Sequence, residues 1–155
     1  MSLFVVRHAK AGSRHNWAGD DDADRPLSKN GRRQADALAE RLADAGVSSL
    51  WSSPYVRCMQ TLSPLGIRLG MEVVADERLA EGASFEPVLD MLHEVPDGAV
   101  LCGHGDIIPN LIAALDRRGT TLLARPDWRK AALWVLDAPD ATGHIATATV
   151  EPPPT

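Results

Sequence analysis

Four side chains stand out for the chemistry that their types and neighbours allow. Arg7 and His8 end an apolar run, Leu3-Phe4-Val5-Val6. Arg57 stands just after Ser52-Ser53-Pro54, and His104 lies between two glycines at the end of a second apolar run. Guanidinium forks match phosphate oxygens bidentately, and the free N–H groups of a helix N-terminus favour an anion. Flanking glycines let a ligand approach the backbone. Arg7, Arg57 and a helix start beside Arg57 therefore suit a bound phosphate. The formal net charge is −5, so any such anion site is a local concentration of positive charge.

These residues need a scaffold that brings them to one place. "SLFVVR" reads as a short strand buried on both faces, followed by a polar loop that Pro26 closes. "LSKNGRRQADALAERLADAG" reads as a helix, with Ser28 as N-cap, an apolar stripe of Ala35, Leu38, Ala39 and Leu42, and Gly46 as stop. "VSSLWSS" predicts a strand, Pro54 opens a helix carrying Arg57, "MEVVAD" predicts a third strand, and "FEPVLDMLHEV" a helix. "GAVLCGHG" is a fourth strand running into the helix of "DIIPNLIAALDRRG", and "KAALWVLDA" and "HIATATVE" predict two closing strands. Alternating strands and helices point to an α/β fold, a three-layer sandwich with a mostly parallel central sheet flanked by helices. Ligands of such sheets gather outside the carboxyl ends of the strands, where Arg7-His8 and His104 both fall.

The 155 residues suit a single domain over 1–150, with 151–155, "EPPPT", as a short Pro-rich tail. The acidic balance gives no reason to expect nucleic acid or an anionic membrane as partner, and no apolar stretch is long enough to span a bilayer. Cys58 and Cys102 make neither a metal spacing nor a disulfide framework. With no secretory leader pattern at the start, the expected location is cytoplasmic.

Four segments in order, "RHA" at Arg7 to Ala9, "LSKNGRRQA" at Leu27 to Ala35, "SSPYVRCMQT" at Ser52 to Thr61 and "GHG" at Gly103 to Gly105, resemble the histidine phosphatase (phosphoglycerate mutase-like) superfamily. The resemblance implies a phosphate pocket of Arg7, His8, Arg57 and His104, with His8 as the nucleophile that becomes phosphorylated and water as the final acceptor. It implies neither cofactor nor metal. A neutral imidazole is a competent nucleophile near physiological pH, since its reference pKa is about 6.5, and fixed cations offset the phosphoryl charge.

Ala9 replaces the glycine most often found after the family's nucleophile, as in compact SixA-like phosphohistidine phosphatases. "RHAKAGSRHNW" and "DRPLSKNG" are also similar to the phosphatase-like domain fused to some Nudix hydrolases. The expected substrate is therefore phosphohistidine on a protein partner, reached through an open pocket. A small-molecule or nucleotide phosphatase is the alternative, with Glu81 at the place where larger members carry a general acid. A non-catalytic module that binds phospho-ligands is the third reading, against which an intact His8 argues.

Other residues carry weaker signals. Arg14, in the loop after His8, is a candidate phosphate contact, and Lys10 shares that loop. The run Asp20-Asp21-Asp22 with Asp24 lacks the ligand alternation of an EF-hand and reads as a solvated loop. Arg125, Arg129 and Lys130 either rim the pocket or form a solubilising turn, and Trp128 either stacks on a ligand or packs on the core.

Overall fold

Strand β1, Ser2–Arg7, carries the apolar run, and its alternate residues enter two different cores. The computed structural model describes residues 1–155. Chain order continues with α1 (Lys29–Leu42), β2 (Ser49–Ser52), α2 (Val56–Leu69), β3 (Val73–Ala75), α3 (Glu86–Glu94), β4 (Ala99–Gly103), α4 (Ile108–Arg117), β5 (Thr121–Leu122), β6 (Leu133–Asp137) and β7 (Thr147–Glu151). The strands form one sheet in the order β3-β2-β4-β1-β6-β7-β5. β6 runs antiparallel to both of its neighbours, and every other pairing is parallel.

Period-two side-chain alternation explains the three layers. Phe4 and Val6 of β1 join Val100 and Cys102 of β4 and the inner faces of α1 and α2, chiefly Leu38, Leu42, Leu62 and Leu65. Leu3 and Val5 face the other way, with Leu101 and Trp134, onto α3 and α4. The expected three-layer α/β sandwich is the observed architecture.

Local chemistry sets most boundaries as expected. The Ser28 hydroxyl accepts the Gly31 N–H at 3.0 Å and caps α1, and Gly70 closes α2 in a left-handed conformation, φ 66°. Three boundaries differ. α1 stops at Leu42 rather than Gly46, which instead turns the chain beyond it at φ 77°. Two-residue β5 is too short for any periodic signal. The last strand starts at Thr147 rather than His144, while Glu151, the end of the segment "HIATATVE", does end β7 and pairs with Leu133.

Candidate active site

Three adjacent parallel strands, β2, β4 and β1, deliver three residues side by side at their carboxyl ends. The His8 N–H donates to the Gly103 carbonyl at 3.0 Å, and the Ser53 N–H donates to the Cys102 carbonyl at 2.9 Å. His8 and Ser53 thus continue the sheet ladder by one step each, and His104 directly follows Gly103, the last residue of β4.

His8 is buried, and its Nδ1 lies 2.7 Å from the Ala9 carbonyl oxygen. A carbonyl only accepts, so Nδ1 carries the proton and Nε2 keeps its lone pair. Burial, which outweighs the bond to Ala9 and is reinforced by His104, Arg57 and Arg7, holds the His8 pKa down to about 3. The imidazole is neutral at physiological pH, with one nitrogen free to attack.

His104 is 1% exposed and its ring centroid lies 5.4 Å from that of His8. Its Nε2 meets the Ser53 hydroxyl at 2.8 Å and the Cys58 Sγ at 3.4 Å, while Nδ1 is buried without a protein partner. A Ser53 hydroxyl that donates to Nε2 leaves Nδ1 protonated and able to donate to an anion. Gly105 keeps the approach open, because a Cβ there would lie 2.6 Å from the Arg7 Cζ.

Arg7 donates through Nη1 to the Trp128 carbonyl at 2.7 Å, and its Nε is buried and unpartnered. Burial lowers its pKa while Asp106 and Glu81 raise it, and a guanidinium remains charged throughout. Arg57, in the first turn of α2, is 1% exposed. Its Nη2 donates to Asp22 Oδ2 at 3.1 Å and to Glu81 Oε2 at 3.2 Å, leaving Nε buried without a partner. Thr61, one turn on, donates to the Arg57 carbonyl at 2.7 Å and accepts the Ala9 N–H at 3.0 Å, tying α2 to the loop after His8.

The structure therefore brings Arg7, His8, Arg57, Glu81 and His104 together. Arg14 reaches the rim, where its exposed guanidinium faces Asp22 at 3.6 Å and Glu81 at 3.5 Å. Trp128 stacks on Trp134 with centroids 5.2 Å apart. The acidic run is not simply a solvated loop. Asp22 begins a short 3₁₀ turn and bonds Arg25 at 2.9 Å as well as Arg57. Burial pushes its carboxyl up, but the Arg25 bond and the Arg57 and Arg14 charges outweigh that and hold it below the usual carboxylate range. Asp22, Ser53 and Thr61 were missed as site residues, although Ser53 and Thr61 lie within the "SSPYVRCMQT" segment. No three His, Cys, Asp or Glu side chains come together as a metal-binding group.

Three residues gathered with the neutral His8 imidazole each keep a buried donor without a protein partner, Arg7 Nε, Arg57 Nε and His104 Nδ1. Buried donors without partners are costly, and such donors suit the oxygens of a phosphoryl group.

Comparison with known proteins agrees. The model of the histidine phosphatase superfamily (branch 1) matches residues 3–86, which include Arg7, His8, Arg57 and Glu81. An 8-oxo-(d)GTP phosphatase of Mycolicibacterium smegmatis is 35% identical over 99% of the chain, which spans 48% of that relative's length. The chain thus covers about half of the curated relative. Among solved structures, the protein histidine phosphatase SixA complexed with tungstate superposes with a TM-score of 0.74 at 21% identity, covering 97% of this chain and 94% of that one. A Nakamurella multipartitia chain assigned to SixA gives 0.71 at 26% identity, covering 99% and 96%. With its family model matched over more than half the sequence and the pocket residues gathered at one sheet edge, the chain belongs to the histidine phosphatase superfamily.

Proposed function

We propose that this protein is a phosphatase that works through a phosphorylated His8, with small phosphate esters, nucleotides among them, as substrates. The observation that carries the reading is the neutral His8 imidazole gathered with Arg7, Arg57 and His104, each of which keeps a buried, unpartnered donor. In the first step the Nε2 lone pair of His8 attacks phosphorus. The N–P bond forms, the bond from phosphorus to the ester oxygen breaks, and the leaving alkoxide takes a proton from Glu81. Water then attacks phosphorus, gives a proton to the Glu81 carboxylate, and the N–P electrons return to Nε2. Arg7, Arg57 and His104 hold the phosphoryl oxygens through both steps, so fixed cations supply the charge stabilisation.

Two features favour an ester over phosphohistidine. Glu81 contacts Arg57 at 3.2 Å, which supports a proton donor for an alkoxide, a leaving group that needs a proton more than departing imidazole does. The 35% identical relative is a nucleotide phosphatase by name. The SixA likeness supports the second reading, phosphohistidine on a protein partner.

The test is metal-free phosphate release from p-nitrophenyl phosphate, a nucleotide panel and a phosphohistidine-bearing protein, with base-quench trapping of phosphorylated enzyme. Ester turnover and trapped phosphohistidine should vanish in His8→Ala, and Glu81→Gln should slow esters by roughly 10²–10⁴-fold. Preference for the phosphoprotein, indifferent to Glu81→Gln, would establish the second reading. A pure binding module would trap no phosphoenzyme.

A further inference from the structure

Beside the phosphoryl pocket runs a groove that the mechanism does not use. A cleft of about 430 Å³ lined by Arg7, Lys10, Gln34, Arg129 and Lys130 continues into one of about 280 Å³ that shares Lys10 and Gln34 and adds Arg33. Pro153, Pro154 and Thr155 wall the first, and Pro154 and Thr155 the second. No Asp or Glu side chain lines either cleft, in a protein whose acidic residues outnumber its basic ones, 21 to 16.

The groove is built from ordered parts. The Lys10 N–H donates to Gln34 Oε1 at 3.0 Å, which ties the loop after His8 to α1. Arg129 is fixed by Asp127, which bonds its Nε at 3.0 Å, outside the cleft. The wall is anchored just before its prolines, where Arg41 Nε donates to Glu151 Oε1 at 2.8 Å. Prolines have one fixed backbone dihedral and no N–H, so Pro153 and Pro154 stiffen this wall. Lys10 and Lys130 form no ion pair within the protein. Lys130 is half-buried, and burial lowers its pKa, to which the charges of Arg7, Arg25, Arg57 and Arg14 add. Two lysines without an ion pair, lining one cleft with Arg7, favour an anion beyond the one in the phosphoryl pocket.

We infer that Lys10, Lys130 and the Arg129 edge of this groove form a subsite for a second phosphoryl group, so that the preferred substrate carries two phosphates. Arg7 lines both the pocket and the groove and links the two. This inference rests on the phosphatase reading for which phosphate is removed, while the groove's own selectivity is measurable without turnover.

The experiment has two parts. Titration calorimetry with inorganic pyrophosphate and with inorganic phosphate, on wild type and on the Lys10→Gln/Lys130→Gln double variant, reads the subsite directly. Wild type should bind pyrophosphate at least about tenfold more tightly, and the double variant should lose that difference while keeping its affinity for phosphate. Steady-state kinetics then compares p-nitrophenyl phosphate, a nucleoside diphosphate and a nucleoside 3′,5′-bisphosphate. The double variant should raise KM for one of the two doubly phosphorylated substrates by about tenfold or more, with p-nitrophenyl phosphate within twofold of wild type. The substrate affected tells a pyrophosphate chain from a second phosphate across the sugar. Equal affinity for the two inorganic anions, or a difference that survives in the double variant, would overturn the subsite. Pyrophosphate selectivity that persists while no ester is turned over would support the subsite and refute the catalytic reading instead.

Discussion

Replacing Gly31 with alanine tests whether α1 acts as the backstop of the catalytic loop. A Cβ at Gly31 would lie 1.8 Å from the Lys10 carbonyl oxygen, 2.8 Å from its carbonyl carbon and 3.1 Å from its nitrogen. These are backbone atoms two residues beyond His8, so no side-chain rotation relieves the clash. Ordinary van der Waals contact demands that helix and loop part by about 1.5 Å. Separation also strains the Ser28 N–H to Lys10 carbonyl bond, 2.9 Å, and the Lys10 N–H to Gln34 bond, 3.0 Å. Alanine gains about 1 kcal/mol of helix propensity over glycine, whereas overpacking costs about 1–3 kcal/mol, so a net loss of about 0–2 kcal/mol follows. The effect on catalysis is larger than the effect on stability. A displacement of about 1 Å in a positioned nucleophile costs about 10²-fold in rate. Thermal melts and kcat for a phosphate ester, measured beside Gly12→Ala, give the comparison, since a Cβ at Gly12 meets nothing within 4 Å. A Gly31→Ala enzyme with kcat within about threefold of wild type would refute the backstop role.

Gly105→Ala should behave differently, because its Cβ meets the mobile end of Arg7 at 2.6 Å. Arg7 is displaced and the fold is spared, so inorganic phosphate binding weakens by about tenfold while the melting temperature stays near wild type. Ser53→Ala removes the hydroxyl 2.8 Å from His104 Nε2. That leaves the tautomer of His104 unset, and kcat should fall by about tenfold or more, with Ser53→Thr restoring part of it. The His8 pKa near 3 predicts an acid-sensitive fold. The unfolded imidazole takes up a proton below about pH 6.5 that the folded one refuses, so stability falls as pH drops from there toward 3, by up to about 1.4 kcal/mol per unit. Urea melts between pH 7 and 4 should show wild type losing stability relative to His8→Asn, and parallel curves would contradict the assignment.

Much of this architecture was legible because local signals agreed with tertiary demands. The apolar run of β1 and the glycine-flanked His104 each sit where a strand ends, and the Ser28 cap and the stripe Leu38-Leu42 mark α1 correctly. Arg7, His8, Arg57 and His104 were legible because each follows a recognisable element boundary. Asp22 was not, since one aspartate in an acidic run looks like its neighbours until the chain folds it onto Arg57 and Arg25. The cationic groove was legible only in pieces. Lys10 and Lys130 are 120 positions apart, and nothing periodic relates a loop after the first strand to the turn before the sixth.

The carboxylates beside the pocket look at first like an obstacle to an anionic substrate. Asp22 and Glu81 both bond Arg57, and Arg14 and Arg25 join the same cluster. Counted with Arg7, four guanidinium groups face Asp22 and Glu81, which leaves two positive charges with Glu81 ionised and three when it holds the proton it gives to the leaving group. The carboxylates also perform a task that the cations cannot. They engage Nη2 of Arg57, while the Asp22 backbone carbonyl takes Nη1 and the buried Nε has no protein partner, and a guanidinium fixed before substrate arrives needs little reorganisation during the reaction. The same logic runs through the histidines, where the Ala9 carbonyl takes the proton-bearing nitrogen of His8 and Ser53 takes the Nε2 of His104. In each histidine a neighbour engages one ring nitrogen and leaves the other for phosphorus or its oxygens. Orientation is thus set by what each side chain already holds, and the strand order β2-β4-β1 is what puts the free atoms side by side.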